Sequence, residues 1–532
     1  MKYDETTPST LAGLCIFASG EYKDKNAFSM LVEDKICREV SYSQMGSRSR
    51  KIASILRQTG VEKGERVLLF SENCPEWPVA YFGIALSGAV SVPLLTGFSN
   101  DQIENIAVHS GVKAVLTTSA MTERCENLKN LSVFSKLPFI CIDSISFDEN
   151  TADEDFTVQQ NPDDIATIIY TSGTQGSSKG VMLSNKNLLS CAYSSFSFFD
   201  GKPSDYFLSV LPLAHSYECG IGFLFPVIFG ASITYIDKPP SPSVLLNALK
   251  IVRPTIMLTV PLLIEKIYNN SIAPKLKKNI LYKFPLTRKL AVLVAGKKLK
   301  SVFGGRLRFF GVGGAPLNPQ VEKFLHSAKF PYAIGYGLTE TAPLLAGNSP
   351  LSFSFGLGLT PPSGVKLRIA VMGDSKNNEG EIQAQGPNVM LGYYLDEEKT
   401  SEVFTHDGWF RTGDLGRLDR KGGILIRGRI KSLILGPSGE NIYPEEIEGL
   451  LGSSSLVEES LVYAGKKGEL VALVRLSEAA KTAAGLIEHA LEDLRTWVNK
   501  KLAVFSRINK IEIKNDPFEK TPTMKIKRYL YI

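Results

Sequence analysis

The sequence is poor in the patterns that staple or anchor a chain. Its seven cysteines, at positions 15, 37, 74, 125, 141, 191 and 219, contain no C-x-x-C pair. An odd, unpatterned set argues against structural zinc and against a disulfide framework, and for reduced thiols in a cytoplasmic setting. Met1 to Thr10 is polar and partly acidic, without the basic flank and apolar run of a signal peptide. There is no internal repeat and no low-complexity tract. One stretch, Cys219 to Ile236, runs 18 residues without a charge. It holds Pro226 and Gly230 and splits into a helix-like part, Gly220 to Phe229, and a β-rich part, Ser232 to Ile236. A buried helix–strand unit is expected there rather than a membrane span.

Acidic residues are missing from one long segment. Between Lys266 and Val321 there is no Asp or Glu but twelve Lys and Arg, so the net charge of +6 divides into a +12 segment and a −6 remainder. Leu and Val alternate with these cations from Leu281 to Val302, which predicts one or two basic amphipathic helices. A solvated helix face, a membrane surface and the phosphates of a large anionic cosubstrate all fit such a segment. Interleaved aromatics are too few for a nucleic-acid platform, so no nucleic-acid partner is expected.

At 532 residues the chain exceeds what one core supports, and two or more domains are expected. Strand-like and helix-like runs alternate: Arg66 to Phe70, Glu76 to Ser87, Val90 to Leu95, Ala114 to Thr118, then Phe207 to Val210, Arg308 to Val312 and Tyr332 to Ile334. This is an α/β pattern with mostly parallel sheets. Short strands with glycine turns crowd Val365 to Arg427. The last hundred residues read as a small α+β unit, with strands at Glu459 to Ala464, Leu470 to Leu476 and Lys510 to Ile513, and helices at Pro444 to Leu451 and Thr482 to Leu502. The boundary falls at Arg429 to Ser432, which divides the chain into 1–429, a hinge at 430–432 and 433–532.

The densest chemistry lies in Tyr170-Thr-Ser-Gly-Thr-Gln-Gly-Ser-Ser-Lys-Gly180, entered from the apolar run Ile165 to Tyr170. Hydroxyls and free N–H groups suit a polyphosphate, glycines allow close backbone approach, and Lys179 neutralises charge. It is not a Walker A loop, because Ser178 precedes Lys179 and Gly180 follows it. Four motifs come after it in order. Gly311-Val-Gly-Gly-Ala-Pro316 would let a flat purine lie against backbone, although it fails the pattern G-x-G-x-x-G. Gly335-Tyr-Gly-Leu-Thr-Glu-Thr341 unites an aromatic that can stack on a base with a carboxylate that can hold Mg²⁺. Gly408-Trp-Phe-Arg-Thr-Gly-Asp414 offers a carboxylate, placed after a tight turn, for ribose hydroxyls. Lys520-Thr-Pro-Thr-Met-Lys525 sits in a basic tail.

Taken together these motifs resemble the adenylate-forming superfamily of acyl-CoA synthetases, peptide-synthetase adenylation domains and luciferases, from about residue 28 onward. Leu307 to Leu317, Gly335 to Pro343, Gly386 to Tyr394 and Ser438 to Glu448 look most like long-chain fatty-acid–CoA ligases. The resemblance implies a large N-terminal domain with a small β-barrel-like part and a mobile C-terminal domain. It also implies a two-step reaction: a fatty acid is activated by ATP as acyl-AMP, then passed to coenzyme A. Thr171, Ser172, Gly173, Thr174 and Lys179 match the phosphate loop. Glu340 matches the Mg²⁺ ligand, with Thr171 beside it, and Thr339 an α-phosphate contact. Gly313, Ala315, Tyr336 and Gly337 match the adenine pocket, and Asp414 and Arg429 the ribose contacts. Lys525 matches the lysine that bridges carboxylate and α-phosphate, Lys431 the hinge, and Gly439 the face that serves the thiol tunnel. Gln175 and Ser178 depart from the family's usual hydroxyl and proline, which implies a floppier loop. Two other readings stay open: an acyl-carrier protein or another acid in place of the expected partners, and a scaffold that binds nucleotide or acyl chains without turnover. His215 falls near the expected acyl site, and Trp77 reads as core.

Overall fold

The computed structural model of the chain describes residues 7–147, 158–172, 178–350, 355–371, 378–435, 441–465, 468–481, 487–521 and 525–531. Two large sheets dominate. The first has eight strands in the spatial order Leu344–Gly347, Tyr332–Gly337, Phe309–Val312, Ile256–Thr259, Tyr206–Leu208, Ser232–Ile236, Asn26–Val32 and Lys35–Ser41. The second has seven, running Gly392–Tyr393, Ser178–Ser184, Ile165–Ser172, Val90–Leu94, Arg66–Phe70, Val112–Thr117 and Phe139–Cys141. Their central pairs are parallel; antiparallel pairs close both ends of the first sheet and the Gly392–Tyr393 end of the second, while Phe139–Cys141 pairs in parallel at its other end.

The period of two along each strand explains how the sheets stack. In Arg66–Phe70, Val67 and Leu69 join one apolar cluster while Leu68 and Phe70 join another. In Ile256–Thr259, Ile256 and Leu258 point into the first of these clusters and Met257 into a third. The first cluster is thus shared between both sheets and is filled by the helices Leu11–Tyr22, Tyr42–Gln58, Glu76–Leu86 and Asn185–Ser194. Ser41 and Ser184 start two of these helices as reciprocal caps with Gln44 and Asn187. Trp77 is fully buried in this layer, its ring stacked on Tyr81 with centroids 5.2 Å apart.

Residues 366–429 form a four-stranded antiparallel sheet, Lys366–Val371, Gly380–Gln385, Phe410–Leu418 and Ile424–Arg429. This is the expected barrel-like part, and among the described residues no barrel closes. Beyond it, Val457–Ala464, Leu470–Leu476 and Lys510–Ile513 make a small mixed sheet. Its core, including Ile447, Leu451, Val462, Leu494 and Val498, is separate from the other three clusters.

Several local expectations are corrected. Thr171 and Ser172, and Ser178 to Gly180, belong to two paired strands rather than to a loop. The β-branched run Ile165 to Thr171 prolongs the ladder further than its hydroxyls suggested. Asp414 lies within Phe410–Leu418 and not after a turn, although Gly413 before it adopts a left-handed φ of +69°. The helix of the uncharged stretch is π-helical over Glu218–Leu224 and α-helical only over Phe225–Ile228.

Candidate active site

The first large sheet ends its strands Ile256–Thr259, Phe309–Val312 and Tyr332–Gly337 on one side, where ligands bind in open α/β sheets. Close packing at these ends requires glycine. A Cβ on Gly337 would stand 1.6 Å from the carbonyl oxygen of Pro343, and one on Gly313 3.1 Å from the Tyr217 ring. Gly313 is buried, whereas Ala315, two residues on, is exposed.

Asp414 anchors the centre. Its backbone pairs with Arg429 across the two strands, and Arg429 Nε donates to Oδ1 at 2.8 Å. The Tyr336 hydroxyl donates to Oδ2 at 2.7 Å. Burial pushes the Asp414 carboxyl up, while Arg429, Tyr336 and Lys525 pull it back. The sequence separates Tyr336 from Asp414 by 78 residues; the fold makes them one unit.

Lys525 reaches this cleft from the C-terminal tail. The backbone N–H of Lys525 donates to the Thr521 hydroxyl at 3.2 Å, which ties the tail into a turn. The side chain keeps accessible surface, yet crowding by its surroundings and by Arg429 lowers its pKa, and Asp414 and Glu340 oppose that drop. His215 is half-buried beside it; desolvation and then the Lys525 charge push its pKa down to about 4. The imidazole is therefore neutral at pH 7, and its Nδ1 accepts from the Tyr217 N–H at 3.2 Å.

A second group of charges surrounds Glu340. Its Oε1 accepts from the Tyr393 hydroxyl at 3.0 Å, and its carbonyl holds the N–H of Met390 at 2.9 Å. The Lys179 ammonium sits 4.6 Å above the Tyr393 ring, a cation–π contact. Burial, Lys431 and Lys399 lower the Lys179 pKa, and Glu340 and Asp396 support its charge. Lys179 pairs with Thr171 across the two strands whose connecting residues carry the rest of the hydroxyl–glycine run. Thr339 shares a hydrogen bond of 3.3 Å with the Ser216 hydroxyl. Asn388 braces the motif, donating to the carbonyls of Thr341 and Leu344 at 3.0 and 2.8 Å.

A cavity of about 50 Å³ lies against the strands Ile256–Thr259, Phe309–Val312 and Tyr332–Gly337. Phe199, Phe225, Phe309, Tyr217, Ile221 and Leu258 contribute to its wall, and so do the backbones of Gly311 and Gly335. An apolar pocket thus lies against the glycine-rich strands.

The structure brings together Lys179, Thr339, Glu340, Tyr336, Gly337, Asp414, Arg429 and Lys525, with Thr171 the strand partner of Lys179 and Gly313 packed against Tyr217. Gly173, Thr174, Gly439 and Gln175 lie outside the described residues, and the side chains of Ser172 and Ser178 are not described. Sequence reasoning missed Tyr393, Asp396 and Lys399. Tyr393 stood in the phrase Gly386 to Tyr394, but only folding shows that it touches both Glu340 and Lys179.

Residues 18–394 match the model of the AMP-binding enzyme family, and the chain belongs to that family. It is similar to long chain acyl-CoA synthetase 6, peroxisomal, of Arabidopsis thaliana, with 30% identity over 92% of this chain and 79% of that protein. It is also 28% identical to 4-coumarate–CoA ligase 3 of Oryza sativa subsp. japonica, over 94% of this chain and 88% of that one. ATP-bound MatB from Rhodopseudomonas palustris has the same fold, with a TM-score of 0.79 at 23% identity and 98% of both chains covered. The chain is an adenylate-forming acid–thiol ligase of the AMP-binding family, whose acyl-CoA ligases take ATP and coenzyme A as substrates.

Proposed function

We propose that this ligase activates a fatty acid and transfers it to coenzyme A. The observation that carries the reading is the cavity: its wall is mostly phenylalanine and aliphatic carbon, with Tyr217, Ser195 and Asn348 but no charged side chain, against Gly311 and Gly335. An acyl chain gains from leaving water there by roughly 25 cal/mol per Å² of buried apolar surface. At about 50 Å³ the cavity takes the first methylenes, and the rest of a long chain extends past it.

In the first step a carboxylate oxygen attacks the α-phosphorus of ATP and pyrophosphate leaves. In the second, the coenzyme A sulfur attacks the acyl carbon and AMP leaves, carrying the electron pair of the broken C–O bond. No side-chain nucleophile is needed, so catalysis is positioning and charge stabilisation. Lys525 would bridge the carboxylate and the α-phosphate, and Thr339 would contact that phosphate. Lys179, Thr171, Ser172, Gly173 and Thr174 would hold the β- and γ-phosphates. Tyr336, Gly337, Gly313 and Ala315 would frame adenine, and Asp414 with Arg429 the ribose. Residues 433–532 would rotate about 430–432 between steps, withdrawing Lys525 and presenting Gly439 to the thiol.

The donor set fits Mg²⁺. Among the described residues no cluster of three His, Cys, Asp or Glu could cage a metal. The Glu340 carboxylate and the Thr171 hydroxyl are hard oxygen donors, and Mg²⁺ is usually held by one or two carboxylates together with substrate phosphates. When bound it would neutralise charge on the departing pyrophosphate.

Acid-dependent ATP–pyrophosphate exchange, run from butanoate to palmitate with 4-coumarate and benzoate alongside, tests the reading. Exchange should rise with aliphatic length and fall away for the aromatic acids. Preference for an aromatic acid, or exchange with none, overturns it. Replacing coenzyme A by an acyl-carrier protein in the second step then identifies the acceptor.

A further inference from the structure

The acid-free segment folds into a block of short helices ending in Pro285–Val302, and this block is the excursion between two strands that line the cavity, Ile256–Thr259 and Phe309–Val312. Pro285–Val302 is apolar on two sides. Ala291, Val292, Gly296 and Leu299 face the core. Leu286, Leu290 and Val294, four residues apart, form a stripe roughly opposite them at 3.6 residues per turn. That stripe is open: Leu286 is 97% exposed, Leu290 56% and Val294 59%. The preceding turn adds Ile280 at 68% and Phe284 at 59%. Exposed Lys275, Lys277, Lys278, Lys283, Arg288, Lys289, Lys297 and Lys298 surround it. Among the described residues none of these cations forms a salt bridge, whereas Arg308, further along, is paired with Asp205 at 2.7 Å. Contiguous exposed apolar surface of this kind marks a site of interaction.

We propose that the surface formed by Ile280, Phe284, Leu286, Leu290 and Val294, ringed by the lysines of the acid-free segment, docks on an anionic lipid bilayer. Two observations select a bilayer over an acidic protein. The apolar side chains protrude instead of lining a groove, which suits insertion into a fluid interface and not a fitted partner. The cations stand around the apolar stripe, so both can engage one plane, with apolar groups below the headgroups and ammoniums among them. Apolar insertion and a polybasic patch are the two signals that together give stable peripheral binding. The surface itself is argued from exposure and charge and does not depend on which acid is the substrate.

Sedimentation with phosphatidylcholine vesicles, with and without phosphatidylglycerol, tests this in the absence of any substrate. The full chain should bind the anionic vesicles at least about tenfold more tightly than the neutral ones, with affinity falling as salt rises. The variant Phe284→Ser, Leu286→Ser, Leu290→Ser should lose about tenfold or more, and so should Lys277→Glu, Lys278→Glu, Lys289→Glu. Both should keep pyrophosphate exchange with a water-soluble acid, which shows that they fold and separates this test from that of the substrate. Absence of vesicle binding, binding unchanged in both variants, or capture of an acidic protein by this surface without vesicle binding each overturns the proposal.

Discussion

Arg429 Nε stands 2.8 Å from Oδ1 of the buried Asp414, each residue the register partner of the other on adjacent strands. Tyr336, from a different sheet, occupies the other oxygen at 2.7 Å. Arg429 ends the strand Ile424–Arg429 that leads into the segment 430–432, so one of the proposed ribose contacts is covalently continuous with the proposed hinge. Asp414→Asn keeps the shape and removes the charge. The KM for ATP should rise about tenfold, close to 1.4 kcal/mol. Steady-state kinetics checks this, and an unchanged KM removes Asp414 from the nucleotide site.

Lys525 approaches the same carboxylate from the far end of the chain. Lys525→Ala should slow adenylation by about 10²–10³-fold, the scale of losing one charge-stabilising donor. Thioester formation from supplied acyl-AMP should be nearly unaffected. Measuring the two half-reactions separately decides the matter; equal damage to both refutes the bridging role.

Glu340→Gln leaves an amide oxygen that can still accept from the Tyr393 hydroxyl, so the local fold should persist. The Mg²⁺ concentration for half-maximal exchange should increase by about tenfold or more as a carboxylate ligand is lost. A magnesium titration that matches wild type rules Glu340 out as a ligand.

Glu218 is 2% exposed, with Oε1 accepting from Ser209 at 2.5 Å and Oε2 without a partner. Burial pushes its pKa from 4.5 to about 8. The folded chain therefore holds a proton that the unfolded chain releases between these values. Stability contributed by this group is present below pH 4.5 and is lost as pH climbs through about 8, by up to about 1.4 kcal/mol per pH unit. Glu218→Gln removes that loss. Thermal melts should show the variant gaining on wild type as pH rises from 6 to 9; parallel curves contradict a protonated Glu218.

Much of the fold was legible. Strands such as Leu470–Leu476 and Lys510–Ile513 were read with their observed bounds, because alternation and turn residues are local signals. The helix Pro444–Leu451 was also read with its observed bounds; it opens on a proline and an acidic first turn, both local features. The extension of the Ile165–Ser172 ladder, the strand position of Asp414 and the π-helix at Glu218–Leu224 were not legible. Each depends on a partner strand or on packing elsewhere. Gly222 shows why: a Cβ there would meet the Glu218 carboxyl at 2.5 Å, a constraint invisible in the spacing of residues.

The linear order of motifs was enough to establish the enzyme family and the residue types of its chemistry, since hydroxyl, glycine, carboxylate and lysine carry their reactivity wherever they stand. Long-range packing alone established that Tyr393 joins Glu340 to Lys179, that Tyr336 meets Asp414, and that phenylalanines from distant segments enclose one cavity. Those contacts join positions tens to hundreds of residues apart, and only burial of two sheets against a shared helical layer brings them within a few ångströms.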